Sequence, residues 1–456
     1  MKIQFLGASQ TVTGSRYLLR HGATTVLVDC GLFQGFKNLR LRNWAEFPVS
    51  PSSIDAILLT HAHLDHSGYL PLLVKRGYRG PIYATKATMD LCGILLPDSG
   101  FLQEEEARLA NKWGYSKHHP AQPLYTAEDA KMALELFQEV PWQKSQSITK
   151  KGTEPLGFEF WPAGHLLGAA SLIVRAGSTS VAFSGDLGRL SDPMIRDPHP
   201  GFGADTLVIE STYGDRHHPL TDPEQEIREV VLQTYSKKGI LLIPSFAVGR
   251  AQLVLYILHQ LKSKGAIPSL PTYLNSPMAA EANRAFAANT SELKLSPREL
   301  QGIWEDVRIV STPEESKALC EKSDPAIIIA ASGMATGGRV LHHLKRLVVD
   351  PKNTILFVGF QAGGTRGDLM VRGAEKIKIH GEAWPVRARV INLESLSAHA
   401  DSDELLAWIG KLERKPSKVF VTHGEPEAAD ALRFRISEEL DLEAEVPENT
   451  QEFDLA

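Results

Sequence analysis

His61-Ala62-His63-Leu64-Asp65-His66 sets four ligand-capable side chains in six residues, straight after a strand-like run at 56–60. A helical pattern begins just beyond it, at Ser67. Four such groups cannot all enter an apolar core without uncompensated polar burial. At the end of a strand, a tight loop can turn them toward one or two metal ions instead. Imidazole nitrogen and carboxylate oxygen suit zinc, and the alternating spacing lets one loop serve two ions. Two further candidates follow strands: His165 in Pro162-Ala163-Gly164-His165 and Asp186 in Phe183-Ser184-Gly185-Asp186. Asp186 is the natural bridging carboxylate, because one carboxylate spans two ions about 3.5–4 Å apart. Asp29 ends the run Val26-Leu27-Val28-Asp29. There it can orient a ligand imidazole through the free ring N–H, or simply cap a turn.

Around this cluster lie 456 residues, 43% hydrophobic and 23% charged, a composition that builds a core and excludes an intrinsically disordered chain. The length exceeds what one core usually serves, so two domains are expected. No apolar run reaches the roughly 18–20 residues of a bilayer-spanning helix. The start, MKIQFLGASQ, carries no secretory h-region. Cys30, Cys92 and Cys320 form no CxxC pair, which argues against disulfide staples and thiolate zinc sites and for a reducing, cytoplasmic setting. With 49 Lys+Arg against 54 Asp+Glu the net charge is −5. A broad basic nucleic-acid coat is thereby excluded, and any polyanion must be gripped locally.

The first 60 residues read as short antiparallel strands at 3–6, 15–19, 25–29 and 54–60. Residues 84–136 read as mainly helical, with the glutamates at 104–106 on a solvated face. Strands return at 158–162, 170–176, 180–184 and 206–210. From 239 onward strands and helices alternate, which implies a parallel sheet with right-handed crossovers. The runs at 389–392, 402–412, 418–422 and 427–439 have no core of their own and are expected to pack back onto the first domain. The expected organisation is therefore a domain of residues 1–213 and 391–456, with 214–390 inserted.

In chain order, Asp29, His61-x-His63-x-Asp65-His66, His165 and Asp186 resemble the first four motifs of the metallo-β-lactamase superfamily. Glu210 in Ile209-Glu210-Ser211-Thr212-Tyr213-Gly214, His399 in Ser397-Ala398-His399-Ala400-Asp401 and His423 in Thr422-His423-Gly424-Glu425 are similar to motifs A, B and C of its β-CASP nuclease branch. The resemblance covers essentially the whole chain. It is closest to the branch with the endonuclease subunit of the mRNA 3′-end cleavage factor and its short bacterial and archaeal relatives. It implies an α/β fold: an αββα metallo-β-lactamase sandwich with an inserted α/β β-CASP domain on a mainly parallel sheet. It also implies two zinc ions in the cleft between the domains, one held by His61, His63, His165 and Asp186. The other would take Asp65, His66, Asp186 and His423, with Asp29 behind them. Manganese or iron suit the same donors.

By the same resemblance, a hydroxide shared by two zinc ions attacks phosphorus and expels the ribose 3′-oxygen. The ends left are 5′-phosphate and 3′-hydroxyl. His399 is then the general acid, and Glu210 favours its protonated form; with Asp65 these make the catalytic set. Relatives acting on RNA carry His at motif C, so His423 points to single-stranded RNA as substrate. Endonuclease and 5′-exonuclease action both stay open, and a homodimer is allowed. Two divalent ions would bring the net charge from −5 to about −1.

A glycine-rich turn, Ser332, Gly333, Thr336, Gly337, Gly338 and Arg339, reads as a phosphate cradle at a helix start, and Arg250 opens another helix after a strand. The pairs His118-His119 and His342-His343 read as surface polar residues, Lys345 and Arg346 as a basic helix face, and His217-His218 lie just past motif A. Two other readings are a small-molecule thioester or lactone hydrolase and a non-catalytic RNA-binding subunit. The large insertion argues against the first, and the complete ligand set argues against the second. Compared with larger relatives, the chain is expected to lack their N-terminal RNA-binding modules and C-terminal extensions.

Overall fold

A computed structural model describes residues 1–114, 116–150 and 152–455. They form two compact units, Met1–His217 with His399–Ala456 and His218–Ala398.

The first unit starts as an antiparallel meander, β1 (Lys2–Phe5), β2 (Tyr17–His21) and β3 (Thr24–Val28). β4 (Ala56–Leu58), β5 (Ile82–Ala84) and β6 (Phe137–Glu139) extend this sheet in parallel. The antiparallel expectation thus fails at 54–60. The stretch after β3 is long enough to cross over, which parallel pairing requires, and it holds the helix Lys37–Arg42. A second sheet follows with β7 (Gln146–Ile148), β8 (Leu156–Pro162), β9 (Ala170–Ala176), β10 (Thr179–Phe183) and β11 (Thr206–Glu210).

Alternation with period two decides how the sheets meet. Ile3, Phe5, Val26 and Val28 share one core with Phe158, Phe160, Leu172 and Val174 of the second sheet. Each such fully buried side chain stabilises the fold by about 1.5–3 kcal/mol. Leu18, Leu27 and Ile57 project from the opposite face and are also buried, so this sheet is covered on both sides. The helix Lys86–Trp113 begins at Thr85, whose side chain accepts from Thr88 N, and ends at Gly114 with a left-handed φ of 64°. Helices over a two-sheet core give the αββα sandwich.

The second unit places the helix Pro223–Ser236 before β12 (Leu241–Pro244), β13 (Thr272–Asn275), β14 (Arg308–Ile309), β15 (Ile327–Ala330) and β16 (Thr354–Val358). β17 (Lys376–Ile379) and β18 (Glu382–Pro385) make a separate hairpin before β19 (Arg389–Leu393). The main sheet runs β14-β13-β15-β12-β16-β19, and every pairing in it is parallel. The uninterrupted apolar strands Leu241–Pro244 and Ile327–Ala330 are buried throughout, as a sheet covered on both faces demands.

β19 pairs with β16 along its length, from Thr354↔Arg389 to Val358↔Leu393. The run at 389–392 therefore belongs to the inserted sheet and not to the tail. The expected domain edges at 213/214 and 390/391 are accordingly replaced by edges at 217/218 and 398/399. The returning chain adds β20 (Lys418–Thr422) beside β11 and β21 (Glu443–Glu445) beside β20, both parallel. β22 (Glu452–Asp454) pairs antiparallel with β1.

Candidate metal centre

Every residue of the centre stands at the end of a strand of the first unit. The loop after β4 carries His61, His63, Asp65 and His66; the loop after β8 carries His165; the loop after β10 carries Asp186; and His423 follows β20. Two tight turns make the aim possible. Gly164 (φ +71°) has no room for a Cβ beside Pro198, and Gly185 (φ +57°) none beside the Ala170 carbonyl. His423 itself adopts a positive φ of 50°, with its N–H donating to Ala8 O at 2.7 Å.

Three imidazole nitrogens converge on one point. His63 Nδ1 lies 3.2 Å from His61 Nε2 and 3.2 Å from His165 Nε2. Asp186 Oδ2 closes the group at 3.5 Å from His61 Nε2 and 3.7 Å from His165 Nε2. The other oxygen, Oδ1, faces a second group, 3.2 Å from His66 Nε2 and 3.7 Å from His423 Nδ1. In that group His66 Nε2 is 3.1 Å from His423 Nε2, which is 3.5 Å from Asp65 Oδ2. Four ligands about a tetrahedral zinc at ~2.0–2.1 Å would sit about 3.3 Å apart, so both groups have the spacing of a coordination shell.

Electrostatics favours the same reading. Burial, aided by the charge of His66, pushes His61 well below the usual imidazole range, and burial lowers His63 to about 4. Both rings are thus neutral, with a lone pair free for ligation. Burial also acts against a charged His66, yet Asp186 and Asp29 outweigh it and hold that ring well above the usual range. Asp186 is held well below the carboxylate range, where His423, His66 and His61 overcome the penalty of burial. Since a ligating imidazole must be neutral, metal uptake should displace the His66 proton and weaken as pH falls.

Asp29 does what a supporting carboxylate must. Oδ2 accepts from Thr60 Oγ1 at 2.9 Å and from His66 Nδ1 at 2.8 Å, while Oδ1 accepts from Thr60 N at 2.8 Å. This fixes the His66 tautomer and points Nε2 at the centre. Asp29→Ala is expected to weaken the affinity of the His66 group for a divalent cation about 10–100-fold, with the His61 group retained. A metal titration that shows both affinities unchanged would refute that assignment.

Gly31 supports the same turn from outside. A Cβ there would lie 1.6 Å from the Asp65 carbonyl oxygen, while Cys30 N donates to His66 O at 2.7 Å and Leu32 N to Leu64 O at 2.8 Å. Gly31→Ala should therefore move Asp65 and His66 together, and bound metal per chain should fall. Full metal content in the purified variant would contradict this.

His399 lies beside the centre. Its Nδ1 is 2.9 Å from Glu210 Oε2, and the other Glu210 oxygen accepts from Leu187 N at 2.6 Å. Glu210 is buried and the His399 side chain is 17% exposed, so the carboxylate orients the ring while one ring edge reaches solvent. Sequence reasoning missed the supporting hydroxyls of Thr60 and Thr212, the latter 3.1 Å from His423 Nδ1. Thr60 precedes His61 and Thr212 stands in the motif A run, so adjacency was the available signal.

The residues expected to bind phosphate lie in the second unit. Pro244 pairs with Ala330, which brings Arg250 and the turn after Ala330 to the carboxyl edge of one parallel sheet, a common ligand-binding edge. The turn is built as expected around Ser332 Oγ, which accepts from Thr336 N at 3.1 Å, and Gly338 has φ +75°. Gly333 admits no side chain because a Cβ would meet the Phe246 ring at 2.7 Å, whereas Gly337 is open. Arg339 corrects the expectation. Its guanidinium donates to Asn275 Oδ1 and to the carbonyls of Val310 and Ser311, so it braces the sheet and is not free to charge an anion cradle. His343, expected on the surface, is buried and accepts from Asn275 Nδ2 at 2.7 Å. His217 meets Asp403 at the surface.

Comparison with known proteins agrees with this geometry. Residues 11–224 match the model of the metallo-beta-lactamase superfamily, 251–370 that of the Beta-Casp domain, and 384–447 that of the Zn-dependent metallo-hydrolase RNA specificity domain. The chain is 37% identical to "Ribonuclease TTHA0252" of Thermus thermophilus, over 95% of each chain. It is 31% identical to "Transcription termination factor FttA" of Methanosarcina mazei, over 99% of this chain and 71% of that one. A crystal structure of a protein of unknown function from Enterococcus faecalis superposes with a TM-score of 0.55 at 14% identity, covering 99% of both chains; at that identity it supports the fold alone.

Proposed function

Because this chain belongs to the β-CASP family of the metallo-β-lactamase superfamily, we propose that it is a zinc-dependent ribonuclease, cutting single-stranded RNA to 5′-phosphate and 3′-hydroxyl ends. The observation that carries this is Asp186, whose two oxygens face two separate groups of ligand-capable side chains. Two divalent cations held there would supply Lewis-acid polarisation of water and of the phosphoryl group.

The chain's own residues do the rest. Asp29 holds His66 in the tautomer that offers Nε2 to the centre. Glu210 takes the Nδ1 side of His399, so Nε2 is left to carry the proton that the departing ribose 3′-oxygen requires. The chain's net charge of −5 means that RNA is gripped at the metal groups and a few cradle residues, Arg250 among them. The free cysteines, two of them buried, support a cytoplasmic setting.

The test is to incubate metal-loaded protein with 5′-labelled single-stranded RNA and with the matching DNA, beside His399→Ala and Asp65→Ala. The expected outcome is RNA cleavage by wild type that both variants lose. Intact RNA under metal-replete conditions, with turnover of a model thioester, would sink the proposal. The labelled products also separate internal cutting from removal of 5′ nucleotides.

A further inference from the structure

Next to His399 the first unit holds an open cleft of about 380 Å³, lined among others by Leu187, Pro198, Pro200, Ala407, Trp408 and Lys411. This is within the usual size range of small-molecule sites. Its wall is the backbone that carries the His399 region. Ala400 N donates to Leu187 O at 2.8 Å, and Gly188 pairs with His399 as an isolated antiparallel bridge. Glu404 ties the wall to the helix Ser402–Gly410, accepting from Leu190 N at 3.3 Å and from Asp401 N at 3.0 Å. The cleft is therefore preformed.

Its chemistry is specific in three ways. Trp408 is only 5% exposed, yet its indole N–H has no hydrogen-bond partner, a state that folded chains seldom tolerate without a reason. Phe202 packs against the indole edge-on, at a centroid distance of 5.8 Å, which fixes the plane of that donor. Flat apolar surface from two prolines, Leu187 and the indole lines the space. Lys411, exposed and among the lining residues, has no ion-pair partner among the described residues. A ligand that satisfies all three has a flat ring, a carbonyl acceptor on that ring and a negative group a short distance away.

We propose that this cleft is a nucleotide subsite, with the base against Trp408 and the prolines and its phosphate at Lys411. The nucleotide may belong to an RNA chain or be a free mononucleotide. The first case rests on the ribonuclease reading, and the second does not. Both can be tested on full-length protein freed of metal with chelator, so that hydrolysis plays no part. One arm titrates UMP, GMP and the corresponding nucleosides by calorimetry. The other crosslinks thiouridine-substituted RNA and maps the adduct by mass spectrometry.

The expected result is saturable mononucleotide binding, weakened about tenfold by either Ala407→Phe or Lys411→Glu, or an adduct within 404–411 that Ala407→Phe removes. Ala407 and Lys411 are surface positions, and unchanged melting of both variants checks their folding. Binding in one arm alone identifies the source. Nucleosides that bind as tightly as nucleotides, or no signal in either arm, would overturn the proposal. Because neither arm requires cleavage, failure here is distinguishable from failure of the ribonuclease assay.

Discussion

Asp186→Ala is expected to lower RNA hydrolysis about 10³- to 10⁴-fold and to deprive both ligand groups of metal. Lewis-acid and bridging contributions of several kcal/mol, at about 1.4 kcal/mol per decade of rate, set that scale. The expectation follows from geometry that no other side chain here shares. Oδ2 lies 3.5 Å from His61 Nε2 and Oδ1 lies 3.2 Å from His66 Nε2, so one substitution opens both shells. By contrast, Asp65→Ala touches only the His66–His423 group. Metal analysis separates the two: Asp186→Ala should lose both ions, and Asp65→Ala should keep the one at His61, His63 and His165. A variant of Asp186 that retains two ions and full activity would remove the bridging assignment altogether. Stability should move as well. The carboxylate is held well below its usual range by His423, His66 and His61 against the penalty of burial. In metal-free protein that pairing favours folding at neutral pH, and the contribution disappears as pH falls through the depressed value.

How much of this was legible in the sequence depends on the range of the interactions. The ligand loop at His61–His66 is local, six residues at one strand end, and its chemistry follows from residue type and spacing. The two-sheet core was legible too, because Ile3/Phe5, Phe158/Phe160 and Leu172/Val174 alternate with the period of a strand. Strand direction was not. Nothing in residues 54–60 distinguishes a parallel from an antiparallel neighbour, since that is set by the crossover before it. The same limit misplaced residues 389–392: their apolar pattern fits either sheet, and only the pairing with Thr354–Val358 assigns them. Arg339 failed for a further reason. An arginine after a glycine-rich turn has the composition of an anion site, but its carbonyl partners at Val310 and Ser311 are about thirty residues away, as their numbering shows, and sequence proximity cannot reveal them.

His399→Ala is expected to cost about 10²- to 10⁴-fold in RNA cleavage, the usual contribution of a positioned general acid, with metal content unchanged. The ring is outside both ligand groups: its closest carboxylate is Glu210 at 2.9 Å, and Asp186 Oδ2 is more distant at 3.9 Å. A role in proton donation makes two further demands that a merely structural histidine would not. First, the defect should shrink on a phosphodiester with an activated leaving group such as p-nitrophenolate, which departs without protonation. Second, the wild-type rate should fall at high pH as the acid loses its proton, and that limb should vanish in the variant. Glu210→Gln should act in the same direction but less strongly, because it removes the charge that favours the imidazolium while keeping a hydrogen-bond acceptor at Nδ1. If His399→Ala were equally impaired on both substrates and kept the alkaline limb, the proton would have to come from elsewhere. The contact between His399 and Glu210 would then serve only to anchor the chain where it re-enters the first unit.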